Sequence, residues 1–278
     1  MNRLSTEKRA QVIGALVEGN SIRAAVRMTG VAKNTVTKLL VEIGEAASAY
    51  MNETMVDLPC QRIEADEIWS FCYAKAKNVP AEHDGEWGYG DVWTWVAIDA
   101  DTKLVPSYYI GRRDAGDGYA FMTDLAGRLR NRVQLTTDGL RSYLTAVEGA
   151  FGSDIDYAML VKIYGIPAEA ESRYSPAECL GTDTIIVQGD PDRELISTSY
   201  IERQDLTMRM GMRRFTRRTN GFSKKVENLT AAVSLHFLHY NFARPHKTLS
   251  KPYPTTPAMA AGVSDHIWTL AEIAALVD

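Results

Sequence analysis

Three carboxylate side chains lie in sequence contexts that suit metal-dependent chemistry. Asp66 lies within an apolar extended stretch, Asp138 directly follows another, and Glu202 is near the start of a segment rich in cations. A carboxylate among apolar neighbours is costly unless a cation compensates its charge. Two Mg²⁺ ions roughly 3.5–4 Å apart need carboxylates that converge from different elements, and they activate water or a 3′-hydroxyl. These residues are therefore the candidate catalytic residues and the candidate ligands of Mg²⁺ or Mn²⁺, with two ions expected.

Each of these carboxylates also has a structural explanation. Asp138 begins an Asp-Gly pair, which is common in turns. Glu202 follows a serine by three residues, which is the spacing of a capping box at a helix start. Glu64 would share a strand face with Asp66, and Glu67 adjoins it, so spacing alone leaves open which strand carboxylate carries the chemistry.

The elements that must position these residues alternate between strands and helices. Segments rich in Trp, Tyr, Ile and Val predict three successive strands, and the pattern then changes to helix, strand, helix, strand. This order indicates an α/β fold with a mixed sheet. The predicted strands are 62–73, 92–99, 104–110, 133–137 and 157–164, with helices from Asp114 to Leu129, over 142–151, from 199 to about 219, and over 226–242.

The first 45 residues predict a separate all-helical domain. Apolar positions recur at helical spacing, Gly30 marks a turn, and small residues precede it, which is a helix-turn-helix pattern. In that geometry the polar start of the second helix of the motif faces DNA bases and phosphates. The predicted DNA-binding side chains there are Lys33, Asn34, Thr35 and Lys38, although a merely solvated face is the alternative. A linker is expected over 46–61.

Charge is distributed unevenly along the chain, whose net charge is −4. Residues 1–50 carry +3 and residues 199–225 carry +6, whereas 166–198 carry −5 and are expected to form an irregular acidic insert. Local basic patches, not the average charge, bind phosphate. A repeat of arginines at helical spacing predicts a basic stripe that follows a phosphate track, with a solvated helix face as the alternative. The stripe is Arg209, Arg213 and Arg217, within a basic block of predicted DNA-binding cations that also contains Arg214, Arg218, Lys224 and Lys225.

Several motifs together resemble bacterial insertion-sequence transposases of the insertion-sequence-one-like branch. The strings that carry the resemblance are Asp66-Glu-Ile-Trp-Ser-Phe71, Trp93-Thr-Trp-Val-Ala-Ile-Asp99, Thr137-Asp-Gly139, Thr198-Ser-Tyr-Ile-Glu-Arg-Gln-Asp-Leu-Thr-Met-Arg209, Arg213-Arg-Phe-Thr-Arg217 and Phe222-Ser-Lys-Lys225. The resemblance implies a ribonuclease-H-like, integrase-type core over 62–246 with a DDE triad of Asp66, Asp138 and Glu202.

The end of the chain resembles a tail seen in several DDE transposase families. Its strings are Tyr240-Asn-Phe-Ala-Arg-Pro-His246 and Thr256-Pro-Ala258, and the C-terminal tail is expected over 247–278. The resemblance implies that Tyr240, Asn241, Arg244 and His246 support the active site or touch DNA, while the end of a core helix is the alternative. Relatives commonly begin with a cysteine-rich zinc-binding segment, which this sequence lacks. Element ends are therefore expected to be recognised by the helix-turn-helix alone, or with the help of a protein from an upstream partner reading frame.

These observations predict a DNA transposase that binds element ends, hydrolyses one strand at each end with divalent metal, and uses the freed 3′-hydroxyl to attack target DNA, which joins the element strand to the target. The expected partners are double-stranded terminal repeats, target DNA and further copies of the chain, since two ends are joined in one complex. A transposase-derived regulator that binds DNA without cutting is the alternative. No long apolar run or signal-peptide core occurs, which predicts a cytoplasmic, nucleoid-associated bacterial protein without a membrane partner. The three cysteines show no CxxC spacing and are expected to be reduced and structural.

Overall fold

The computed structural model describes residues 3–165, 179–216 and 220–278. It is an α/β structure whose six-strand mixed sheet has the order β3-β2-β1-β4-β5-β6. Strands β1, β2 and β3 pair antiparallel, β1, β4 and β5 pair parallel, and β6 pairs antiparallel with β5. This arrangement is compatible with a ribonuclease-H-like core. The strands are β1 Arg62–Cys72, β2 Gly90–Asp99, β3 Ser107–Gly111, β4 Gln134–Thr137, β5 Asp156–Tyr164 and β6 Cys179–Gln188.

Helices precede, connect and follow the strands. Short polar side chains begin several of them: the Ser5 hydroxyl accepts from the Lys8 amide, and the Asp114 carboxylate accepts from the Asp117 amide. No described helix is long and apolar enough to span a membrane. The helices are α1 Thr6–Val17, α2 Ile22–Thr29, α3 Lys33–Thr54, α4 Ala115–Arg128, α5 Ser142–Phe151, α6 Ser199–Gly211, α7 Val226–Leu238, α8 Pro257–Ala260 and α9 Leu270–Ala275.

The first three helices share a small core and also join the main one. Val12, Ala25 and Val36 belong to the small cluster, while Ile43 of α3 belongs to the large cluster that covers the sheet. Close contact with α7 requires glycine at position 44, because a Cβ there would lie 2.4 Å from the Ala231 Cα. The N-terminal helices are therefore packed onto the rest of the molecule.

Three segments differ from the sequence predictions. The linker predicted over 46–61 is instead helical to Thr54, since Ala47 and Met51 continue the apolar face of α3 into the main core. The insert predicted to be irregular over 166–198 contains β6, which hydrogen-bonds to β5; residues 166–178 lie outside the described part of the chain. The helix predicted to reach about 219 ends at Gly211, where Met212 takes an extended conformation.

The C-terminal residues pack against the first helix. Asp278 forms an ion pair with the nearly buried Arg9 of α1, and the Leu270 side chain meets Gly14. Of the cysteines, Cys60 and Cys72 are buried and unpaired, as expected for structural thiols, whereas Cys179 on β6 is exposed.

Candidate active site

Two neighbouring parallel strands bring Asp66 and Asp138 together. Ala65 of β1 is the register partner of Thr137 of β4. Because the strands run parallel, the residues that follow Ala65 and Thr137, which are Asp66 and Asp138, are neighbours. Asp138 is the first residue after β4, where the strand gives way to the turn before α5. Asp66 itself lies within β1, which continues to Cys72, so the carboxyl end of the shorter β4 brings Asp138 beside the middle of β1. The carboxyl ends of parallel strands are where open α/β sheets bind ligands.

Glu67 joins the two aspartates to form a group that could hold a metal ion. One carboxylate oxygen from each of Asp66, Glu67 and Asp138 lies within 4.8 Å of the others. We call these three residues the acidic cluster. Asp138 also makes the turn that its Asp-Gly sequence predicts, because its Oδ1 accepts a hydrogen bond of 2.9 Å from the Leu140 amide. The turn thus fixes the orientation of the Asp138 carboxylate beside the cluster.

The environment of the acidic cluster disfavours negative charge. Burial, and then the charge of Asp138, raise the pKa of Asp66 to about 6. Burial and the charges of Asp66 and Asp138 raise the pKa of Glu67 to about 7, against the opposing effect of Arg113. Carboxylates whose charged forms are this unfavourable would be stabilised by a bound cation.

Two side chains hold Glu67 in place, on the face of β1 that is opposite to α6. Its Oε1 accepts a hydrogen bond of 2.7 Å from Arg113 Nε, and its Oε2 accepts one of 3.1 Å from the buried Tyr143 hydroxyl. Burial, and then the charge of Glu67, raise the pKa of Tyr143 well above its usual value. The tyrosine therefore stays a hydrogen-bond donor to Glu67.

Glu202 lies in the first turn of α6, near Asp66 but outside the group of three. Its charge contributes to the raised pKa of Asp66. Its Oε1 accepts a hydrogen bond of 2.6 Å from the Thr198 hydroxyl and pairs with the ammonium of Lys162 on β5. Although burial lowers the pKa of Lys162, its bond and ion pair with Glu202 raise it on balance. The capping box is absent, because Thr198 and not Ser199 precedes the helix.

Asp205 is a fourth carboxylate of this region that the sequence analysis missed. Its side chain is 6% exposed, its Oδ1 has no hydrogen-bond partner, and its Oδ2 lies 3.9 Å from Arg209 Nη2. Burial, and then the charge of Asp66, raise the pKa of Asp205 to about 8. The signal in the sequence was its position three residues after Glu202, which places both side chains on one helix face.

Glu64 has a structural role that separates it from Asp66. Its Oε2 accepts hydrogen bonds of 2.7 and 3.0 Å from the amides of Tyr200 and Ile201. A carboxylate at a helix N-terminus satisfies amides that have no partner within the helix and complements the helix dipole. Glu64 therefore attaches the start of α6 to β1, which places Glu202 and Asp205 beside the sheet.

The predicted DNA-binding side chains of the N-terminal helices are all exposed. They occupy the first turns of α3, which begins at Lys33 after the left-handed Gly30 and a short turn. Lys38 forms a surface ion pair of 3.4 Å with Glu42 on the next turn. The side chains that α3 presents to solvent here are Lys33, Asn34, Thr35 and Lys38.

The basic stripe predicted from arginine spacing does not form as a continuous helix. Arg209 lies on α6 next to Asp205, and Arg213 follows the break in a single 3₁₀ turn, where it is exposed. Arg214 instead turns inward and donates a hydrogen bond of 2.8 Å from Nε to the Ser223 hydroxyl. Lys224 and Lys225 are exposed just before α7. The two remaining predicted cations, Arg217 and Arg218, lie outside the described residues.

The C-terminal residues predicted to support the site bind the loop between β2 and β3. The buried Tyr240 hydroxyl donates to the Lys103 carbonyl at 3.0 Å, and the Asn241 amide makes two 3.0 Å bonds with the Val105 backbone. Arg244 is exposed, and the His246 ring hydrogen-bonds to a neighbouring threonine within the tail. These contacts favour the structural alternative for Tyr240 and Asn241.

The chain matches no protein-family model, and the comparison with curated proteins finds no match.

Proposed function

We propose that this protein is a DDE-type DNA transposase with a ribonuclease-H-like catalytic core. The observation that carries the proposal is the convergence of Asp66, Glu67 and Asp138 from adjacent parallel strands, with α6 supplying Glu202 and Asp205 beside them. Carboxylates that converge from several elements are the ligand set used for phosphoryl transfer by two metal ions.

The residues present fit Mg²⁺ or Mn²⁺. These ions prefer carboxylate oxygens, and the acidic cluster supplies three within reach of one another. Asp205 Oδ1 is a further buried oxygen, and no hydrogen bond from the described residues offsets the cost of burying it. Bound ions would supply charge compensation and Lewis acidity for attack of water or a 3′-hydroxyl on a phosphodiester.

The protein residues would divide the work of the site. Asp66 and Asp138 would hold metal, Glu67 would add a third oxygen that Arg113 keeps oriented, and Glu202, which pairs with Lys162 in this structure, would be a further ligand. The Lys162 ammonium, which lies beside Glu202, would contact the phosphate of the substrate.

DNA recognition is assigned to the exposed start of α3 within a helix-turn-helix. Its lysines provide contacts to phosphates, while Asn34 and Thr35 provide hydrogen bonds to base edges. Arg213, Lys224 and Lys225 add exposed positive charge in the region that follows α6. Joining two DNA ends requires at least two copies of the chain on DNA.

The test is cleavage and strand transfer on duplexes that carry the DNA flanking the gene, with Mg²⁺ or Mn²⁺. We expect the wild-type protein to nick these ends and join them to target DNA. Asp66→Asn and Glu202→Gln should bind the same duplexes and abolish both reactions. Glu148→Gln changes an exposed carboxylate of α5 and serves as the matched control, with activity retained.

Two outcomes would contradict the proposal. Wild-type protein that binds the flanking DNA but neither cuts nor joins it with either metal would favour a DNA-binding regulator. Cleavage that survives Asp66→Asn and Glu202→Gln would place the reaction elsewhere in the molecule.

A further inference from the structure

Four aromatic side chains form a surface next to the acidic cluster. Trp69 and Phe71 alternate along β1 on the same face as Glu67, and Trp93 of β2 is the direct cross-strand partner of Trp69. Phe222, from the segment before α7, stacks on Phe71 with ring centroids 4.9 Å apart and planes at 29°. We call Trp69, Phe71, Trp93 and Phe222 the aromatic strip.

The aromatic strip is not needed to fill the core. Trp95, on the same face of β2 as Trp93, is fully buried, and its ring centroid lies 6.0 Å from that of Phe121 and 5.3 Å from that of Tyr143. The strip residues lie beyond this packing and are half-buried, and none of them belongs to the hydrophobic clusters formed by the described residues. Four large rings kept partly accessible on one side of a sheet indicate a ligand-binding surface.

Two cations lie among these rings. The Arg113 guanidinium lies 4.7 Å from the centre of the Trp93 ring, and Lys75 Nζ lies 6.0 Å from the centres of both Trp69 and Phe71. Arg113 also binds Glu67, so the strip connects to the acidic cluster through direct contacts. Aromatic rings interleaved with cations are the pattern by which proteins bind single-stranded nucleic acid.

We propose that the aromatic strip binds unpaired bases of the DNA strand that enters or leaves the acidic cluster. Inside a duplex both faces of a base are covered by its neighbours, so the strip selects strands that are opened next to the cleaved phosphate. Base stacking is tolerant of sequence, and Arg113 and Lys75 hold the adjoining phosphates. This inference rests on the proposed function, since it assumes that DNA is the substrate of the neighbouring carboxylates.

The test measures binding without cleavage, in EDTA. Two matched substrates carry the same terminal sequence with 2-aminopurine near the end, one flush and one with a short single-stranded overhang. We expect the wild-type protein to prefer the overhang and to quench 2-aminopurine fluorescence there. Trp69→Ala and Phe222→Ala should weaken overhang binding about tenfold and remove the quenching, while leaving flush-duplex affinity unchanged. Tyr253→Ala, at an exposed tail aromatic, is the control without effect.

Conservative variants keep the test decisive. Trp69→Phe retains a ring and should keep most of the preference for the overhang. Because Phe222 lies outside the sheet, Phe222→Ala provides the test if Trp69→Ala fails to fold. Equal overhang binding and quenching in wild type, Phe222→Ala and a folded Trp69→Ala, together with normal cleavage by the wild type, would overturn the inference and leave the proposed function intact. Wild-type protein that neither binds nor cuts any of these DNAs would refute the proposed function and this inference with it.

Discussion

Replacing the buried Asp205 by asparagine should stabilise the metal-free protein above neutral pH. Asp205 is 6% exposed, and one of its oxygens has no hydrogen-bond partner. Its pKa is raised from 3.8 to about 8. The folded protein therefore holds a proton that the unfolded chain has already released between these pH values. By linkage, the free energy of unfolding falls as pH rises through that interval, and Asp205→Asn removes this loss.

The magnitude follows from the difference between the two pKa values. At about 1.4 kcal/mol per pKa unit, an aspartate shifted from 3.8 to about 8 costs at most roughly 6 kcal/mol when fully ionised. Relaxation of Arg209 toward Oδ2, now 3.9 Å away, offsets part of this cost. We expect a gain of about 2–4 kcal/mol at pH 8.5, which corresponds to roughly 5–10 °C in Tm for a chain of this size. Near pH 3, below both pKa values, the gain should be close to zero.

Thermal unfolding at several pH values in EDTA measures this effect. Asp84→Asn, at an exposed position, is the control and should change Tm little at any pH. Adding Mg²⁺ at pH 8 should then stabilise the wild type more than Asp205→Asn, because the ion compensates the carboxylate that the variant lacks. Equal Tm values for wild type and Asp205→Asn from pH 5 to pH 8.5 would refute the assignment of Asp205 as an uncompensated buried acid.

Three further changes test the packing and charges around the site. Glu64→Ala removes the acceptor for two amides at the start of α6, so it should lower stability by about 1–3 kcal/mol and reduce cleavage, as followed by urea unfolding and DNA nicking. Gly44→Ala should destabilise by more than 2 kcal/mol, because its Cβ would meet α7 backbone, whereas Gly127→Ala, with open space around it, should be neutral or stabilising in the same assay. Lys162→Met should tighten Ca²⁺ binding severalfold in calorimetry, because the ammonium no longer competes for Glu202.

The sequence by itself predicted the α/β class and most elements, because these depend on local periodicity. The strands that became β1, β2 and β4 were predicted within about two residues, since alternating or continuous apolar runs can be buried in only one way in a sheet. The start of α4 was predicted from Asp114, whose carboxylate caps it. The end of α6 was not predicted, since the arginine spacing continues beyond the break at Met212.

The candidate ligands were proposed from sequence, but only the tertiary structure decided their partners. Glu64, Asp66 and Glu67 are equivalent acids in the sequence, and they differ because α6, β4 and Arg113 each approach β1 at a different point. The linker prediction was wrong as far as Thr54, since helical periodicity does not show which other helix will cover an apolar face. Asp205 became a site residue only because folding buried it.

Local pattern therefore predicted most of the strands and helices and suggested which residues could bind metal or DNA, but it missed β6 and the end of α6. The tertiary structure determined which carboxylates meet, which cations face solvent and which aromatic rings stay outside the core. The physical reason is that burial and charge interactions depend on neighbours distant in sequence, whereas backbone periodicity depends on residues within a few positions.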